Sequence, residues 1–238
     1  MIERWRALAA RWGWQLYAFA QESGQEIFVI ESAFPAGPSL YLSAGIHGDE
    51  PASTEGLLAW AEGSAERLSR CAFTLFPCLN PWGLILNMRN DSQGRDLNRS
   101  YNDPECQQTL RQLAWIADRS YDAAFMLHED YDGTGYYLYE ITPGESWGGQ
   151  LVAAAAPFVG VEGRPDIEGV PHSGGVVTRE LAPDLLELMP KHPEALFLAV
   201  NGTTRCYTLE TPSESAIDCR VDAHVAVLNR ALDLLGAA

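Results

Sequence analysis

Short apolar runs that stop at glycine, proline or a polar residue, each followed by helical spacing, recur along the chain and point to an α/β fold. Ser39–Ala44 (SLYLSA) reads as a buried strand ending at Gly45, and Pro51 suits the first turn of a helix running through Leu57, Leu58 and Trp60. Ala72–Phe76 (AFTLF) is a second strand, stopped by Pro77; residues 123–127 (AAFML) form a third that ends at His128, and residues 205–209 another that ends at Glu210. A further strand is expected over 136–141, with helices over 150–158 and 216–235 and one started by Pro104 that passes through Leu110, Leu113 and Ile116. Asn80-Pro81-Trp82-Gly83 is a turn signal that opens a polar loop as far as Tyr101, and loops of that length tend to be functional. No internal repeat, low-complexity tract or linker divides the 238 residues, so residues 1–238 read as one domain.

The formal charge of -16 argues against nucleic acid or an anionic membrane surface as a partner. Five cysteines without a C-x-x-C spacing support neither a disulfide framework nor a thiolate zinc site. Glu3, Arg4, Arg6, Arg11 and Gln15 interrupt the first twenty residues, leaving no signal-peptide core, and no stretch approaches a membrane span; a cytoplasmic protein is the expectation.

The strand ends carry the chemistry. His47 with Glu50, then His128, then Glu210 stand just beyond three apolar runs, and in open α/β sheets such ends converge on ligands. Two histidines and a carboxylate are a usual ligand set for one zinc ion with an open position for water. An H-x-x-E pair also arises by chance, so His47-Gly48-Asp49-Glu50 gains its weight from the strand before it, the proline-started helix after it and the downstream partners. Arg89, Arg95 and Arg99 concentrate three of only 16 basic residues within one short segment of an acidic chain, which suggests a pocket for an anion. Arg95 is the one expected to pair instead with a loop carboxylate such as Asp91, Asp96 or Asp103.

The ordered motifs H-G-D-E, N-P-W-G, R-x-N followed by G-R-D-L-N-R, L-H-E-D and L-E-T-P, spread over residues 40–212, resemble the zinc carboxypeptidase (funnelin) family, nearest its murein peptide amidase-like and succinylglutamate desuccinylase/aspartoacylase-like branches. The resemblance implies a mixed central β-sheet with helices on both faces. It implies one zinc ion held by His47, Glu50 and His128, with Glu210 as the catalytic carboxylate. It further implies that Arg89 polarises the substrate carbonyl and that Asn98 and Arg99 hold a substrate carboxylate. The tyrosine that many carboxypeptidases carry some way before the catalytic glutamate has no match in residues 183–197; Tyr136, Tyr137, Tyr139 and Tyr207 stand as substitutes, and the sequence selects none of them.

Asp130, sharing a strand face with His128, is a better neighbour for the site than Glu129. His172, His192 and His224 read as a loop, a proline-adjacent and a helical histidine without a site role. The leading functional expectation is a metallo-carboxypeptidase acting on a short peptide or muropeptide with a free carboxylate. Against it stand an N-acyl amino acid deacylase and a non-catalytic carboxylate-binding protein; Glu210 argues against the last, because a binder needs no base facing the metal. The further β-rich domain that the resemblance implies for the deacylases is not expected, since the residues after Glu210 read as one helix.

Overall fold

The computed structural model describes residues 1–32 and 37–237. In chain order the elements are α1 (Ile2–Trp12), β1 (Gln15–Glu22), β2 (Gln25–Glu31), β3 (Ser39–Ala44), α2 (Pro51–Leu68), β4 (Ala72–Phe76), α3 (Pro81–Leu86), a 3-10 turn (Leu97–Arg99), α4 (Gln107–Ile116), β5 (Ala123–Asp130), β6 (Tyr137–Ile141), α5 (Gly148–Val159), β7 (Asp166–Ile167), β8 (Val170–Pro171), β9 (Val176–Thr178), α6 (Pro183–Leu188), α7 (Glu194–Val200), β10 (Cys206–Pro212) and α8 (Ile217–Leu234).

Eight strands form one mixed sheet in the order β1-β2-β4-β3-β5-β10-β6-β9, and β7 and β8 pair separately. The central strands β4, β3, β5 and β10 are mutually parallel, whereas β6 runs antiparallel to β10. Parallel strands need cover on both faces, which is why these segments read as solid apolar runs. One face is packed by α1, α2, α5 and α8 over Leu40, Leu42, Phe125, Leu127 and Leu209, each no more than 1% exposed. Burying side chains of this size stabilises the fold by roughly 1.5–3 kcal/mol apiece. The other face packs Tyr41, Phe76 and Met126 against Ile116 of α4 and Leu196 and Leu198 of α7, and the cleft opens on this side.

The mixed sheet with helices on both faces is as expected, and β3 and β4 fall at their expected bounds. Several details differ. β5 and β10 do not end at His128 and Glu210 but run on to Asp130 and Pro212, because their pairing continues through those residues. Asn80-Pro81-Trp82-Gly83 starts a helix instead of a loop, because Asn80 Oδ1 caps it by accepting the Gly83 N–H at 2.8 Å. Pro104 lies in a turn closed by the Glu105 N–H on Asp103 Oδ1, and α4 begins only at Gln107. The N-terminal helix and hairpin, for which no element was anticipated, widen the sheet by two antiparallel strands.

Candidate metal centre and cleft

Helix α2 begins at Pro51, which puts Glu50 at its N-cap. A capping carboxylate ordinarily accepts an N–H of the first turn. Here Glu129 of β5 takes that task, accepting the Ala52 N–H at 2.6 Å, and Glu50 turns to two histidines. Its Oε1 lies 2.6 Å from His47 Nδ1 and its Oε2 3.0 Å from His128 Nδ1. All three side chains are buried, and one donor atom from each falls within 4.8 Å of the others. Two imidazole nitrogens and a carboxylate oxygen converging in this way fit the donor chemistry of a zinc site.

Gly48 makes the turn between His47 and Glu50 possible by close approach. A Cβ at this position would run into the backbone of Gly83 and Leu84 on α3, and the Gly48 N–H donates to Met88 O at 3.1 Å. The unexpected helix therefore braces the motif loop.

Asp96, in the sequence one of several loop carboxylates, joins the candidate site. One oxygen accepts the Asn98 N–H at 2.9 Å, capping the Leu97–Arg99 turn, and lies 3.2 Å from His47 Nε2. The other accepts from Arg89 Nη2 at 3.1 Å. An outer carboxylate of this kind sets the orientation of a ligating imidazole. Burial pulls the His47 imidazolium down, but Glu50 and Asp96 outweigh it and raise its pKa to about 9. Burial opposes the Glu50 carboxylate, yet the two histidines hold it down at about 2.

In the parallel register of β5 and β10, Glu210 is paired with His128, and across β6 it is paired with Tyr137. Burial, reinforced by Glu50 and Asp130 and opposed by His128 and Arg89, raises Glu210 to about 8. His47, Glu50, His128, Glu210, Arg89, Asn98 and Arg99 all line one cleft that opens to solvent. Arg89 also reaches to 3.7 Å from Glu50, while Arg95 pairs with Asp91 at 2.8 Å outside the cleft, as expected. Asn98 Oδ1 accepts the Glu194 N–H, and the Arg99 guanidinium donates to Asn98 O.

Of the four tyrosines, Tyr137 and Tyr139 line the cleft, whereas Tyr136 and Tyr207 are buried in the core of the opposite face. Asp130 lines the cleft, accepting from Tyr137 Oη at 3.1 Å and Arg164 Nη2 at 2.8 Å. Glu129 also borders it but spends its carboxylate on Ala52 and Arg220. His172 has both ring nitrogens on backbone groups of Arg164 and Gly175, and His192 is held through its main chain. His224 is wholly buried against Gly56, and burial lowers its pKa to about 3.

The fold is that of the zinc carboxypeptidases. A family model described as the succinylglutamate desuccinylase/aspartoacylase catalytic domain matches residues 36–131, the segment holding His47, Glu50, Arg89, Asn98, Arg99 and His128. A protein of Shewanella denitrificans, provisionally described as a metallopeptidase, superposes with a TM-score of 0.87 at 22% identity over 100% of this chain and 90% of its own. A metallo-carboxypeptidase of Pseudomonas aeruginosa, solved with (2-guanidinoethylmercapto)succinic acid, gives 0.70 at 17% identity over 99% and 69%. The product-bound cell shape determinant protein Csd4 of Helicobacter pylori gives 0.59 at 18% identity over 89% and 56%. None of the curated proteins compared matches the chain. Among the described residues no helix is long and apolar enough to cross a membrane.

Proposed function

We propose that the chain is a zinc-dependent metallo-carboxypeptidase that hydrolyses an amide bond near a free carboxylate in a short peptide or muropeptide. One observation carries this reading: the cleft that gathers His47, Glu50 and His128 also presents Glu210, Arg89, Asn98 and Arg99.

A zinc ion held by the two histidines and Glu50 would supply a Lewis acid for the scissile carbonyl and a water acidified toward neutrality. Glu210 takes a proton from the attacking water and returns it to the leaving nitrogen, a role suited to a carboxyl group whose proton affinity is raised by burial. Arg99 and Asn98 grip the terminal carboxylate, a planar anion matched by a guanidinium fork. Arg89 meets the negative charge that develops on the carbonyl oxygen.

The second reading, an N-acyl amino acid deacylase using the same residues, is favoured by the family model matching residues 36–131. Measuring kcat/KM for N-acyl amino acids beside matched peptides separates the two. A hundredfold preference for the acyl amino acid would replace the peptidase reading and leave the zinc chemistry in place.

A further inference from the structure

The cleft descends the face of the sheet in successive rows of side chains. The first row is His128, Glu210 and Tyr137; the second contains Thr208 and Tyr139; the third contains Cys206 and Ile141. Arg179 follows β9, one residue beyond the Glu140–Thr178 pair, and its N–H donates to Glu140 O at 2.9 Å, so it stands level with Ile141 at the far end. Strand spacings place its backbone about 10 Å across and about 13 Å along from that of Glu210, and the arginine side chain reaches back over part of this gap. Its guanidinium lies over the Tyr139 ring, 5.6 Å from the centroid.

Three arginines line the cleft, and they differ in what occupies them. Arg89 is committed to Asp96. Arg99 and Arg179 form no ion pair among the described residues. Of the cleft carboxylates, Asp130 is paired with Arg164 and accepts from Tyr137, and Glu168 accepts from the Tyr139 hydroxyl at 3.2 Å; neither forms an ion pair with Arg99 or Arg179 among the described residues. In a chain of net charge -16, two guanidinium groups in one cleft without an ion pair are matched by two anionic groups on a ligand.

We propose that Arg179 is a second carboxylate receptor, selecting substrates whose C-terminal residue carries an acidic side chain, while Arg99 holds the main-chain carboxylate. The inference rests on the carboxypeptidase reading above, with the leaving residue lying along the sheet from the metal row toward Arg179. A charge-assisted bidentate contact made to glutamate and lost to its isosteric amide gives at least about a tenfold preference.

The test uses zinc-loaded protein and two substrates of equal size, N-acetyl-Ala-Glu and N-acetyl-Ala-Gln. Wild type is expected to favour the glutamate peptide at least about tenfold in kcat/KM, mainly through KM. Arg179→Gln should bring the ratio near one, and Arg179→Lys should restore part of it. Equal use of the two peptides by wild type, or an unchanged ratio in Arg179→Gln, overturns the proposal and leaves the peptidase reading standing. If neither peptide is cut, calorimetry with free glutamate and glutamine decides: a glutamate preference that vanishes in Arg179→Gln upholds the receptor and removes the peptidase reading, whereas equal binding of both sinks the receptor.

Discussion

The main-chain N–H of Glu194 donates to Asn98 Oδ1 at 2.9 Å, which fixes the orientation of the Asn98 amide and leaves its Nδ2 for the cleft. Glu194 is itself held in the core by Ser43 Oγ, Gln112 Nε2 and the Tyr41 hydroxyl, so the anchor is rigid. Asn98→Asp keeps an acceptor for the Glu194 N–H but turns the donor into an anion facing a carboxylate substrate. KM should rise at least about tenfold with kcat changed little. Steady-state kinetics on a short peptide, beside an unchanged melting curve, check this; an unaltered KM would take Asn98 out of carboxylate recognition.

Glu210→Gln is nearly isosteric and cannot accept a proton. It should lower kcat by about 100-fold or more while zinc remains bound, as measured by turnover and metal analysis. More than about half of the wild-type rate in this variant would end the assignment of Glu210 as the base.

Zinc uptake should be proton-linked. With its pKa raised to about 9, His47 is charged at pH 7 in the metal-free chain and must lose its proton to become a ligand. Binding at pH 7 should therefore release at least one proton per zinc, with Glu210, raised to about 8, placed to add another. Affinity should climb at least about tenfold per pH unit below pH 8, about tenfold between pH 8 and pH 9, and level off above that. Calorimetry in buffers of different ionisation enthalpy reads the proton count, and a value of zero at pH 7 would refute the charged state of His47.

Gly48→Ala should destabilise the protein and weaken zinc binding together, because the methyl group meets backbone on α3 that cannot step aside. Overpacking of this kind costs about 1–3 kcal/mol, a fall in Tm of roughly 2–12 °C for a chain of this size. A melting scan and a zinc titration suffice, and a variant with wild-type values of both would show that the loop tolerates a side chain.

Segments that are buried on both faces were legible from the sequence because their apolar character is continuous and their ends are punctuated. β3 stops at Gly45 and β4 at Pro77 for that reason, and His47, Glu50 and His128, beside the apolar runs, converge in the cleft. The hairpin β1–β2 was harder, since its half-exposed strands carry glutamine and glutamate. Its one clear signal is Ser23-Gly24, both with positive φ (47 and 82), the requirement of a tight two-residue hairpin turn. Asp96, Glu194 and Arg179 were not legible as a set. A loop aspartate, a helix-start glutamate and a strand-end arginine look ordinary until the sheet brings their surroundings together.

The stepwise arrangement of the cleft floor also bears on how such a molecule can change. Because neighbouring residues of β10 and β6 point to opposite faces, exchanges at positions 206, 208, 139 or 141 reshape the lower steps without touching His128 or Glu210 on the top one. The upper and lower steps of the cleft thus lie on the same strands yet can drift separately, one alternate position at a time. A one-residue deletion inside β6 has no such freedom: it would turn Tyr137 and Tyr139 into the helical layer and bring core side chains up into the opening.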